Sequence, residues 1–182
     1  MPKKIEFDIL SPSQIKQAIE EVQSYKKWVL QKSRAISERL SLIGIQEASI
    51  RFTGAMYDGT NDVHVRTEES SSGDEYVFSI IAEGQAVCFI EFGAGVYYNS
   101  AAYPLPKPEG VVGIGEYGEG KGKQKTWAYV GDDPGSDGKI YYSNASGAVV
   151  ITHGNPAAMP LYYSSAEMKR QILSIAREVF GN

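Results

Sequence analysis

The chain has 182 residues, 42% of them hydrophobic and 22% charged, close to the usual globular values of about 45–50% and about 25%. That argues against disorder beyond local segments and predicts one domain over residues 1–182 with a single core. With 22 acidic against 18 basic residues and a pI near 5.3, the surface on balance repels a phosphate backbone, so sequence-specific nucleic-acid binding is not expected.

At the N-terminus, "MPKKIEFDIL" sets Glu6 and Asp8 where a signal peptide needs an apolar run. No stretch approaches the ~20 apolar residues of a membrane span. The expectation is a soluble product of a reducing cytoplasm, with no membrane partner.

The segment from Ser11 to Gly44 opens on Ser-Pro, a helix start, and closes on glycine, a helix stop. Between them Ile15, Ile19, Val22, Tyr25, Val29, Ile36, Leu40 and Ile43 recur at three- and four-residue steps. This predicts a long amphipathic helix with one apolar stripe. A shorter helix is predicted over "IQEASIRFTGAMY", ended by Gly54 and the "YDGTND" turn.

"DVHVRTE" and "YVFSIIAEG" read as two antiparallel strands, with "SSSGDE" as a turn or loose, mobile loop between them. "QAVCFIEFG" is continuously apolar and is read as a short helix closing at Gly93. Its Cys88, the only cysteine, reads as a small buried apolar group, since free cysteine is among the most buried residue types.

Residues 93 to 154 hold 13 of the 19 glycines together with Pro104, Pro106, Pro108 and Pro134, which predicts long irregular loops. Within them "KTWAYVGDDPGSDGKIYYS" has the form of a hairpin, and "AVVIT" that of a further strand. Finally, Leu161, Met168, Ile172, Ile175, Val179 and Phe180 share one face of a terminal helix that starts at Pro160 and stops at Gly181. Helices that bracket a strand-rich middle predict an α+β fold. Its mainly antiparallel sheet packs against a long N-terminal and a C-terminal helix, with a glycine- and proline-rich loop and hairpin insertion at about 94–152.

Motifs for cofactor chemistry fail on context. "GIGEYG" has dinucleotide-loop spacing, and Gly115 to Lys121 has phosphate-loop spacing. The first lacks an apolar helix after it, and the second continues with Gly122 where Ser or Thr must bind magnesium. Neither His64 nor His153 belongs to a metal-ligand spacing. No cofactor or metal is expected. "NAS" at 144–146 fits a glycosylation acceptor by chance, given the missing signal peptide.

Two candidate surfaces and one candidate pair remain. Lys121, Lys123 and Lys125 form a charged tip suited to an acidic partner surface. Nine of the twelve tyrosines lie between 97 and 163, interleaved with Gly, Ser and Asn, a mixture that suits contact surfaces. Tyr97, Tyr98, Tyr103 and Tyr117, with the three lysines, are therefore the expected interface residues. The only acid–base pair worth considering is Glu91 with His153, which would make the chain a hydrolase.

In "FIEFGAG", Glu91 stands between two phenylalanines, with Gly93 and Gly95 just beyond. A carboxylate there must be hydrogen-bonded or paired, since a lone buried charge costs several kcal/mol. Either it does chemistry, or it pins a backbone corner through the N–H groups of the turn at Gly93 to Gly95 or a basic residue of a neighbouring subunit.

"AVCFIEFGAG", followed far downstream by "THGNPAAMPLYYSSAEMKR" and a closing "IAREVFG", resembles the tail-component family of long-tailed phages typified by gene product ten of phage HK ninety-seven. The match rests on Phe89, Ile90, Glu91, Phe92, Gly93 and Gly95, then on Pro160, Leu161 and Ala166. Ala94 stands where the family often has threonine, and Leu161 where phenylalanine is frequent. The resemblance implies a non-enzymatic virion protein of the head–tail interface, present in the host cytoplasm during assembly and also compatible with a prophage. It implies tail completion or head–tail joining through a homo-oligomeric ring that contacts connector and tail proteins, with a tail terminator or minor tail protein as the alternative. It also favours the structural answer for Glu91, with Phe89, Glu91, Phe92, Gly93, Gly95 and Pro160 as structural residues.

Overall fold

The computed structural model describes residues 11–57, 59–95, 125–130, 140–143 and 147–181. Eight elements run in the order α1 (Pro12–Thr53), β1 (His64–Ser72), β2 (Glu75–Glu83), α2 (Val87–Phe92), β3 (Trp127–Val130), β4 (Ile140–Ser143), β5 (Gly147–Thr152) and α3 (Pro160–Gly181). The fold is α+β, with a long helix at each end of a middle made of antiparallel strands. Among the described residues, no helix is long and apolar enough to cross a membrane.

Helix α1 begins as its sequence predicts, with Ser11 at the N-cap and Pro12 in the first turn. It does not stop at Gly44. It runs on as one 42-residue helix to Thr53, so the separate second helix expected over "IQEASIRFTGAMY" is corrected. Gly44 is used for room. A Cβ there would lie 2.1 Å from Ile80 Cδ1 and 2.7 Å from Met168 Sδ. The helical cost of glycine, ~1 kcal/mol, is accepted in return for close approach of β2 and α3. The buried Ser164 hydroxyl completes the contact by donating to the Gly44 carbonyl at 2.8 Å.

The burial of α1 also departs from its apolar stripe. Ala18, Ser41, Gly44, Ala48 and Phe52 are buried, whereas Ile19, Val22 and Tyr25 are exposed. Apart from Phe52 the buried residues are small, because close helix approach favours short side chains over bulky ones.

Strands β1 and β2 pair antiparallel over all nine residues, from His64 opposite Glu83 to Ser72 opposite Glu75. Of the turn or loose loop expected between them, the structure shows a two-residue turn of Gly73 and Asp74. Gly73 has φ +60°, and a positive φ at the first turn position is what tight hairpins ask of glycine. Val65, Thr67, Ile80 and Ala82 share the face turned to α1.

The second sheet has the order β3-β5-β4, both pairs antiparallel. The sequence expectation of a hairpin between the strands now labelled β3 and β4 is corrected, because each pairs with β5 and neither with the other. β5 lies between the other two, and its Val150 is fully enclosed.

Helix α3 antiparallels α1, with Ser164 at Gly44, Glu178 at Arg39 and Lys32 donating to the Val179 carbonyl at 2.6 Å. Ile175 and Val179 are buried and Leu161 and Met168 half-buried, but Ile172 is 41% exposed. The terminal-helix stripe is therefore correct in position and too wide by Ile172 and Phe180. Cys88 is half-buried. The core itself is Ala48, Phe52, Ala86 and Ile90, packed by Val63, Val65, Ile80, Ala82, Ala158 and Leu161. It sits where the end of α1, the base of the hairpin, α2 and the start of α3 converge.

Candidate functional site

Helix α2 has six residues, too few to be stable alone, and both of its ends are held from elsewhere in the chain. At its start, Asp62 accepts the N–H of Gln85 at 2.8 Å and of Ala86 at 2.9 Å. The Ala86 and Gln85 donors hold the Asp62 carboxyl below the usual carboxylate range. Neighbouring Asn61 closes the end of α1, its Nδ2 donating to the Phe52 carbonyl at 2.8 Å.

At the end of α2, Gly93 turns the chain with φ +75° and its N–H returns to the Phe89 carbonyl at 2.8 Å. Its missing side chain matters twice. A Cβ would suffer the positive φ and would also lie 2.6 Å from the Ala157 nitrogen and 2.9 Å from the Asn155 carbonyl. Ala94 and Asn155 exchange both backbone hydrogen bonds at 2.9 Å, and the Ala158 N–H donates to the Ile90 carbonyl at 2.9 Å. The buried Asn155 side chain adds a bond from Nδ2 to the Phe89 carbonyl at 2.8 Å.

Glu91 completes the corner. It is 2% exposed, and its Oε2 accepts the Leu161 N–H at 2.9 Å while Oε1 accepts the Tyr162 N–H at 3.2 Å. A helix begins with four N–H groups that have no partner inside it. In α3 every one of them is accounted for. Pro160 has none, Leu161 and Tyr162 use Glu91, and Tyr163 donates to the Met159 carbonyl at 3.0 Å. The first turn of α3 contains no acidic residue of its own, so Glu91 also supplies the anion that a helix N-terminus favours.

Glu91 therefore pins a backbone corner, as the resemblance favours, but through different partners. The expected donors were the turn at Gly93 to Gly95 or a neighbouring subunit; those found belong to α3. Phe89, Glu91, Phe92, Gly93 and Pro160 are brought together in this corner, with Gly95 at φ +81° just beyond it. Met159 holds a strained φ of +52° immediately before Pro160, a conformation that bulky residues avoid unless their surroundings enforce it.

His153 is half-buried beside β5, its Nδ1 2.8 Å from Thr126 Oγ1 and 3.3 Å from the Lys125 carbonyl. Lys125 itself is exposed. Tyr97, Tyr98, Tyr103, Tyr117, Lys121 and Lys123 lie outside the described residues. Among the described residues, no group of three or more His, Cys, Asp or Glu could hold a metal ion, and no buried side-chain nitrogen or oxygen lacks a hydrogen-bond partner.

An open cleft of about 440 Å³ lies beside the corner, lined in part by Glu47, Ile50, Arg51, Met56 and Ala158. Arg51 on its wall is engaged, since it pairs with Glu47 at 2.6 Å and lies 4.3 Å from the Tyr163 ring centroid.

Sequence reasoning missed Asn61, Asp62, Asn155 and Ser164. Asn155-Pro156 is a turn signal, but nothing near it in sequence says that its amide reaches Phe89. No family model matches the chain, and no curated protein or solved structure matches it.

Proposed function

We propose that the protein is a structural subunit of the virion of a long-tailed bacteriophage. It acts in tail completion or head–tail joining by closing into a ring with copies of itself and contacting connector and tail proteins. The observation that carries this reading is the use made of Glu91. Its enclosed carboxylate is committed to the first N–H groups of α3, so the most distinctive residue of "FIEFGAG" works as scaffold. Support also comes from the meeting of the two segments on which the family resemblance rests, residues 89–95 and 160–166, in one corner. A closed ring repeats a heterologous contact, so each subunit needs two different and complementary sides, and the segment that bears Tyr97, Tyr98, Tyr103, Tyr117 and the lysines is assigned to contacts with the components above and below. A tail terminator or minor tail protein is the variant of this reading within the same class.

Glu91→Gln separates scaffold from chemistry. The scaffold reading expects altered folding or oligomerisation, read by thermal melting and sedimentation. An intact fold with lost turnover on a panel of ester, amide and glycoside substrates would overturn it. Gene neighbourhood gives an independent check, since portal, capsid and tail-tube genes beside this one support the reading and metabolic genes there contradict it.

A further inference from the structure

Two exposed faces of the chain complement each other in charge and spacing. Helix α3 buries Ser164, Ile175 and Val179, and its opposite side presents Leu173, which is 68% exposed. Lys169 and Arg177 stand one turn before and one turn after it on the same ridge. Both are exposed, and neither enters an ion pair among the described residues. The acids of α3 are used elsewhere, Glu178 on Arg39 of α1 and Glu167 on Arg170 and Gln171. The ridge is thus an apolar anchor between two cations, about 12 Å long at ~1.5 Å per residue.

The outer face of the β1–β2 hairpin carries the reverse pattern. Ile80 and Ala82 turn toward α1, so by alternation Glu75 and Val77 point outward from β2, and Glu68 outward from β1. Val77 is 51% exposed. Glu75 lies two residues before it, and Glu68, opposite Ser79, lies as far beyond it on the neighbouring strand. At ~3.3 Å per residue the two carboxylates are about 13 Å apart along the strands, with the valine between them. Arg66 is shared between Glu68 and Glu83, so this face remains negative.

The hairpin and α3 both pack on α1 and turn these faces away from it, so one chain cannot bring its own two faces together. We infer that Leu173 of one copy seats against Val77 of the next, with Lys169 and Arg177 against Glu68 and Glu75, and that this heterologous contact is the one repeated around the ring. Each face is of one sign, so it repels its own kind and accepts the other. The patch is smaller than the ~800 Å² per partner of a stable interface. The contact is therefore weak between two copies and is strengthened by closure of the ring.

This inference rests on the reading of the chain as a ring-forming subunit, and sedimentation equilibrium of the full chain up to about 1 mM tests it. The wild type should associate with rising concentration and dissociate on added salt. Leu173→Asp and Val77→Asp should each raise the dissociation constant at least about tenfold, with melting curves close to the wild type because both side chains stand in solvent. Mixed in equal amounts, the two variants should recover association near the wild-type constant and stop at a heterodimer, because each supplies the face the other lacks. A wild type that is monomeric at every concentration, association that salt or either substitution leaves unchanged, or a mixture that stays monomeric would overturn the pairing. The assembly reading is then still judged by Glu91→Gln and by the neighbouring genes. Metabolic genes beside a chain that passes the mixing test would sink that reading and keep the pairing.

Discussion

The corner around Glu91 and the outer run of α1 with the hairpin turn both rely on polar contacts, under opposite conditions. In the corner Glu91 and Asn155 are enclosed, and the helix ends that meet there are closed from outside the helix, by Asn61 on α1, Asp62 and Asn155 on α2, and Glu91 on α3. Between α1 and the hairpin the contacts are ion pairs in solvent, Lys26 with Asp74 and Arg34 with Glu69. An enclosed group that loses its partner forfeits its full solvation, whereas a solvated pair that breaks returns to water at little cost. Specific geometry is thus concentrated at the corner.

The comparison breaks most visibly at Gly93. Gly93→Ala should cost about 4 kcal/mol in urea unfolding, combining ~1–3 for the positive φ with ~1–3 for overpacking against the backbone of Asn155 and Ala157. A cost under about 1 kcal/mol would mean that the corner is not rigid. Next comes the α1–α3 seam, where Ile175→Ala should cost roughly 3 kcal/mol and Ile172→Ala less than about 1, because only the first is buried. Equal effects would contradict the orientation of α3.

Glu91→Ala should follow at about 2–3 kcal/mol, through the two helix N–H groups left without an acceptor. Hydrogen exchange should show the loss as faster exchange at Leu161 and Tyr162 before the rest of α3.

An acid titration sharpens the same contrast. The folded state lowers the pKa of Asp62, so its contribution to stability is fully present above the unfolded value of about 3.9. It is lost as pH falls through the lower folded value. Melting temperatures between pH 5 and pH 2 should therefore fall less steeply in Asp62→Asn than in the wild type. The smallest effect is expected for Lys26→Ala, within about 0.5 kcal/mol of wild type, as exposed pairs usually are. A larger loss would show that the outer run is held as firmly as the corner.

Local signals in the chain were enough for the start of α1 at Ser11-Pro12, the paired strands β1 and β2, the short helix that closes at Gly93, and the bounds of α3. Each is written in turn residues and apolar spacing within a few positions of the element itself, so composition and order alone determine an α+β protein with a helix at each end. What only the tertiary structure decided are the contacts that join distant positions. Gly44 reads locally as a stop, and becomes a point of close approach because Ser164, 120 residues away, and Ile80 pack against it. β5 takes the centre of its sheet, where Val150 and Thr152 are enclosed, a place that its neighbours in sequence do not announce. Glu91 shows on its own only that a buried charge needs partners; the donors that satisfy it are 70 and 71 residues downstream. A backbone N–H at a helix start looks the same in any sequence, and folding alone selects which carboxylate it meets.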